Sequence, residues 1–341
     1  MIRSLQSLRG VFTIVIFLSH FPFPLTSAFS IPSDCAVSFF FMLSGFVICA
    51  AHERKMRIRE YRFSYFMRDR LLRIYPMYLI YLTAALAINH FHTYPLQIIS
   101  HLLLLQSWIP NPDVYFGLNG VSWFLSTLMF CYLLVFPAVR LATRHSRLYL
   151  VILLAAAIIY LAAIPSVPSE LRTWVLYICP LTRALDFLIG IALYRIYKKI
   201  RPALESPAIP ADCIATVITI IVLAAAPAID ETYTLACWWW IPMSLLIISF
   251  ALCDKSRWPM ARLAETNLPV SFGNISFSFY ILHGVVLTVI VRLTGHINPV
   301  PPVWVSLGIT FAACTVAAWL SHRYLESNRI FRPKKSEKPH I

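Results

Sequence analysis

Long apolar runs separated by short polar stretches set the pattern of this chain from end to end. A helix needs about 20 consecutive apolar residues to cross the hydrocarbon of a bilayer. Runs of that order predict ten crossings, over 8–25, 33–52, 74–91, 121–139, 148–165, 174–194, 211–228, 235–252, 271–291 and 302–321. The stretch 96–109, LQIISHLLLLQSWI, is apolar but too short to cross. It reads as a re-entrant or interfacial helix leading into the polar loop 110–120. An eleventh crossing there would invert everything that follows.

Composition agrees with the pattern. Of 341 residues, 59% are hydrophobic and 13% charged, and the mean hydropathy is +0.71. These values exclude a soluble enzyme and give an all-α, polytopic helical membrane bundle with the bilayer as its surroundings. A net charge of +14 would suit nucleic acid, but the placement of the charges excludes that partner. Of the 29 Lys and Arg, 26 fall in the N-terminal segment and in 53–73, 140–147, 195–201, 254–262 and 322–341, which are alternate inter-span segments. The positive-inside rule then predicts that both termini are cytoplasmic. Arg172, Arg183 and Arg292 are left at or within the outer halves of spans.

The start of the chain has the charged and apolar parts of a secretory signal, yet a second span follows at once, so it is taken as an uncleaved first helix. One membrane domain is expected over 1–325. A basic tail follows over 326–341, disordered from about Arg332. Of the eight cysteines, only Cys35 and Cys237 lie near the outer face where they could pair, and the others behave as small apolar residues. No metal-ligand spacing, phosphate loop or internal repeat is present.

Candidate chemistry begins on the first span. Arg9 and His20 are eleven residues apart. That separation turns a helix about 20° past three full turns, so both share a stripe with Thr13 and Ile16, about 16 Å apart along the axis. Ionisable groups are costly in a bilayer and mark a pathway or a site. A cavity is therefore expected along this face. Arg70 and Arg73 sit three apart at the start of the third helix, on one face. They serve either as lipid-facing anchors or as a bidentate grip on phosphates. Arg183 and Asp186, also three apart, are read as an intramembrane ion pair, structural or acceptor-binding. His283 lies three residues after Tyr280 and is read as a packing hydrogen-bonder or a support for the chemistry. His90, His92, His101 and His296 read as polar loop edges, and Trp238, Trp239 and Trp240 as part of an aromatic belt.

Six motifs in order carry a resemblance. They are Arg9 with His20; Phe40, Phe41, Ser44, Gly45 and Phe46; Arg70 and Arg73 before Tyr75 and Pro76; Trp123; Arg183, Asp186, Phe187 and Gly190; and His322 to Glu326. Together with FGNISFSFYILH over 272–283, this set resembles the acyltransferase-3 family of integral membrane acyltransferases over nearly the whole chain. The chain departs from many relatives at Ser38 (Asp), Leu128 (Glu) and Ser327 (Pro), so acid chemistry at Ser38 and Leu128 does not carry over.

The resemblance implies transfer of an acyl group, acetyl above all, from a coenzyme A thioester to a hydroxyl. The implied acceptor is a carbohydrate, on a surface polysaccharide, a lipid-linked glycan or a glycosylated metabolite. It further implies His20 as general base, with Arg9, at the cytoplasmic end of the same face, holding the donor phosphates or anchoring its arm, and Arg70 and Arg73 on the coenzyme A phosphates. Trp123, Arg183, Asp186, His283, Glu326 and Ser44 become substrate or supporting residues, with no metal. The bacterial inner membrane is the expected location. A transporter or flippase for a glycolipid or acylated metabolite is the alternative, since it also needs a charge-lined cavity. No inverted repeat or matched pair of broken helices favours it.

Overall fold

The computed structural model describes residues 2–21, 32–56, 61–88, 93–201, 211–252, 259–294 and 302–326. Every regular element among them is helical: α1 (Arg3–Ser19), α2 (Ser33–Met56), α3 (Phe63–Ile88), α4 (Pro95–Leu102), α5 (Trp123–Arg144), α6 (Ser146–Ala163), α7 (Pro180–Ile200), α8 (Ala211–Ala225), α9 (Trp240–Leu252), α10 (Asn267–Thr294) and α11 (Val303–Ser321), with short turns between them. Eight of these segments are long and apolar enough to cross a membrane. The expected first and eighth spans are α1, of 17 residues, and the 237–252 stretch, a shorter apolar helix. Both pack among the longer rods, since Phe12, Ile16, Trp239 and Met243 are buried.

Contacts sort the helix termini into two ends. At one end, Arg3 donates to the Glu265 carbonyl at 2.8 Å and Ser4 to Phe250 at 2.7 Å. At the same end, Glu53 receives Arg195 at 2.6 Å and Lys198 at 2.8 Å, and Arg73 meets Glu326 at 3.5 Å. At the opposite end Arg292 donates to the Ile88 carbonyl at 2.6 Å. These pairings join the termini that an alternating path brings together, and they gather Arg3, Arg73, Arg195 and Lys198 at the first end.

Two helix crossings hold the centre, and each joins two of the sequence motifs. A Cβ on Gly45 of α2 would stand 2.1 Å from the Phe187 carbonyl oxygen of α7, and one on Gly190 would stand 1.9 Å from that of Met42. The backbones therefore touch where any side chain would hold them apart. Likewise α1 meets α10, where a Cβ on Gly273 would lie 1.9 Å from the Gln6 carbonyl oxygen. Ser44 plays a local part, donating to the Phe40 carbonyl one turn back at 2.7 Å.

Several expectations change. The third helix starts at Phe63, ahead of the apolar run that begins at 74, so Arg70 and Arg73 ride on it as expected and Arg68 and Asp69 join them. Segment 96–109 is the eight-residue α4 followed by a turn at Gln106–Trp108. His101 is not a loop edge: it is fully buried, with its Nε2 donating to the Val114 carbonyl at 2.9 Å. The tryptophan run is not a lipid-facing belt, because Trp239 is fully buried and Trp240 donates to Asp186 at 2.5 Å. Cys35 and Cys237 are free thiols. His90, His92, His296, Ser327 and the tail beyond Glu326 lie outside the described residues.

Candidate active site

His20 is the C-cap of α1, just beyond Ser19. Its Nδ1 lies 2.8 Å from the Ile16 carbonyl oxygen. A carbonyl only accepts, so Nδ1 carries the hydrogen and the neutral ring keeps a bare lone pair on Nε2. The imidazole is exposed to a cavity of about 720 Å³ at the end opposite the basic segments. Trp123, Tyr177, Tyr280 and Phe116 give this cavity aromatic walls, and Asp34, Asn119 and Arg292 give it polar edges.

A second cavity, of about 350 Å³, opens at the basic end between α3 and the turn after α11. Asp69, Arg70, Arg73, Pro76, His322 and Glu326 line it. Glu326 is the hub: its carboxylate accepts from Ser278 at 3.1 Å and from His322 Nδ1 at 2.9 Å, and it meets Arg73 at 3.5 Å. The two arginines differ. The Arg73 side chain is 48% exposed with one long ion pair, so its guanidinium has donors to spare. Arg70 is pinned, 3.2 Å from His52 Nε2 and stacked over Phe66 at 5.2 Å. Arg9 donates to Gln6 at 3.2 Å and lies within electrostatic reach of Arg73, Glu326 and Tyr132, which assigns it to this basic-end cluster.

The stripe joining Arg9 to His20 is closed in its middle. Thr13 is buried at 1% exposure, Ile16 lines the His20 cavity, and no lining residue is shared by the two cavities. The face expected to border one continuous cavity borders protein at Thr13.

Arg183 and Asp186 form the expected ion pair at 2.8 Å, with both side chains buried. Arg183 also donates to the Tyr177 carbonyl at 2.7 Å, to Ser38 Oγ at 3.0 Å and to the Leu235 carbonyl at 2.5 Å, and it stacks on the Tyr177 ring at 4.8 Å. Asp186 spends its other oxygen on Trp240. With those bonds made, the pair braces the wall of the His20 cavity rather than lining it. Trp123, at the first residue of α5, does line the cavity and packs 4.9 Å from Tyr177. His283 is buried behind His20, with ring centroids 5.2 Å apart.

Asp34, Asn119 and Tyr177 were not legible as cavity residues in the sequence. Asp34 sits in the first turn of α2, where an acidic residue is the ordinary partner of a helix N-terminus. Only its place beside His20 in the cavity lining marks it.

Acyltransferase MdmB of Streptomyces mycarofaciens is 29% identical over 286 residues, covering 76% of this chain and 70% of that protein. No solved structure matches the chain. The family described as Acyltransferase domain, Acyl_transf_3, matches residues 2–322, and this chain therefore belongs to the acyltransferase-3 family of membrane acyltransferases.

Proposed function

We propose that this membrane acyltransferase moves an acyl group, in the first instance acetyl, from coenzyme A to a carbohydrate hydroxyl, with His20 as general base. The observation that carries the reading is the tautomer of His20: its Nδ1–H is held by the Ile16 carbonyl, and the basic Nε2 belongs to a ring exposed in the large cavity. A hydroxyl is a weak nucleophile until its proton is taken, and a neutral imidazole with a bare Nε2 can accept that proton. As the hydroxyl oxygen attacks the acyl carbon, its proton forms an N–H bond at Nε2. The carbon–sulfur bond then breaks and the thiolate takes that proton. Aromatic walls from Trp123, Tyr177, Tyr280 and Phe116 suit the apolar faces of a sugar ring, and the edges of Asp34 and Asn119 suit its hydroxyls.

The donor belongs at the basic end. Arg73, with Arg70, offers cationic donors for the phosphates of coenzyme A, and Arg9 adds its charge to the same basic-end cluster. This reading puts the basic end and both termini in the cytoplasm of a bacterial cell, with the enzyme in the inner membrane and the acceptor cavity toward the outside.

The test is turnover of labelled acetyl-CoA by the purified protein with carbohydrate acceptors, read as label on acceptor and as released thiol. His20→Ala is expected to lose about 10²–10⁴-fold in rate with insertion intact. Retention of more than a tenth of wild-type transfer by well-folded His20→Ala removes His20 as the base. Absence of transfer from any acyl-CoA by the wild type, together with passage of a glycolipid across vesicles, would favour the transporter alternative.

A further inference from the structure

We infer that His283 is a positioning residue for the acyl transfer, supplying the lone pair that steadies the positive charge formed on His20. The inference rests on His20 being the base. Two imidazoles from different helices, α1 and α10, approach edge to face with centroids 5.2 Å apart and an interplanar angle of 66°. At that separation the rings are in direct contact and no third side chain fits between them.

The two rings are tied in the same way. His20 Nδ1 lies 2.8 Å from the Ile16 carbonyl oxygen, and His283 Nδ1 lies 2.6 Å from that of Tyr280. Each tie uses a carbonyl of the residue's own helix, three or four positions back. Each therefore fixes the Nδ1–H tautomer and leaves Nε2 as an acceptor. For His20 that acceptor belongs to a cavity-exposed ring. For His283 it is buried without a hydrogen-bond partner among the described residues.

An unpaired acceptor in a buried place is a cost that folded proteins rarely leave standing. Packing alone would be served by Phe here, since His283 already lies nearly parallel to Phe279 at 6.5 Å. A donor or a positive charge beside Nε2 would recover that cost, and the ring in direct contact that turns positive in the reaction is His20. When the acceptor hydroxyl gives up its proton, the His20 ring becomes an imidazolium with its Nδ1–H still on Ile16. The lone pair of the neutral His283 ring then stands beside a charge that was absent before. An interaction realised only after proton transfer speeds the step without tightening substrate binding. The proton itself stays on His20 until the leaving thiolate takes it, so His283 gains and loses no bond.

The experiment uses the full-length protein in detergent or nanodiscs and compares kcat and KM for acetyl-CoA and for acceptor. His283→Phe, which keeps the ring and removes the lone pair, is expected to lower kcat about tenfold to a hundredfold, with both KM values within about twofold of wild type. His283→Gln, whose amide oxygen can accept a hydrogen bond, is expected to recover part of that loss. A His283→Phe enzyme with kcat within about threefold of wild type overturns the inference. So does a loss confined to KM, or a His283→Gln enzyme no better than His283→Phe. Should neither variant fold, the wild-type protein labelled with ¹⁵N-histidine decides: a bare Nε2 on His283 supports the inference and a protonated Nε2 ends it. Because His20→Ala tests the base independently, normal turnover in His283→Phe beside a dead His20→Ala refutes this step alone.

Discussion

Arg73 and Glu326, 253 positions apart in sequence, meet at 3.5 Å at the basic end of the bundle and tie the start of α3 to the turn that follows α11. The contact is long and the arginine half-exposed, so the pair contributes little to stability, of order 0–1 kcal/mol. Its guanidinium remains free to turn toward an anion.

Arg73→Ala is therefore expected to raise the KM for the coenzyme A donor about tenfold or more while leaving the melting temperature close to wild type. Arg73→Lys should recover the charge but not the fork, giving an intermediate KM. Arg70→Ala should act differently, lowering thermal stability as well, because Arg70 is bound to His52 and stacked on Phe66. Arg54→Ala, on the exposed end of α2, serves as control. Equal KM effects from Arg54 and Arg73 would mean that general surface charge is being measured.

The crossing of α2 and α7 yields a stability prediction. Gly45→Ala and Gly190→Ala each place a methyl within about 2 Å of a backbone oxygen that cannot rotate away. Each is expected to cost at least about 2 kcal/mol, read as a lower melting temperature in detergent or a loss of folded protein. Gly308→Ala on α11 is the counterpart, since nothing lies within 4 Å of the point its methyl would occupy, and it should be neutral or stabilising. A Gly45→Ala protein as stable as wild type would show that the two helices are able to part.

Apolar run length gave the rods, since burial in lipid leaves a composition signal in each rod separately. It gave their ends poorly. The first turns of α3 carry Arg68, Asp69, Arg70 and Arg73 and extend past the apolar run, and α1 stops at Ser19, inside the apolar run 8–25. The Arg183–Asp186 pair was legible because two ionisable residues three apart on an apolar helix have few other partners. What Trp239, Trp240 and His101 touch was not legible, because belt, loop edge and buried brace share one composition and differ only in tertiary contact. The same holds for Asp34.

His101 carries a pH prediction. Burial holds its imidazole below the ordinary value of 6.5, and it stays neutral while its Nε2–H binds the Val114 carbonyl. The unfolded segment takes up a proton as pH falls through about 6.5, before the folded one does, so acid favours opening. The stability contributed by neutral His101 is full above that value and declines below it. Amide exchange over 95–122, corrected for its intrinsic pH dependence, should be faster at pH 5.5 than at pH 7.5. His101→Gln should remove most of that difference. Equal corrected exchange at the two values would mean that His101 does not hold this segment.

Sidedness decides which cavity takes the donor and which the acceptor. Asn111 lies in the cap near the His20 cavity, and Ser146 starts α6 at the other end of α5 from Trp123. In a protein with its eight cysteines replaced, a single cysteine at Asn111 should react with a membrane-impermeant thiol reagent added to intact cells. One at Ser146 should react only after the cells are opened. Arg140, Arg144 and Arg147 flank Ser146, and a basic cluster of that kind is retained on the cytoplasmic side. The His20 cavity would then face outward and the Arg73 cavity inward, so that an acyl group passed from one to the other has to pass the buried stretch of α1 at Thr13. Labelling of Ser146→Cys from outside would invert both cavities at once, putting the acceptor in the cytoplasm and removing a coenzyme A donor from the Arg73 end.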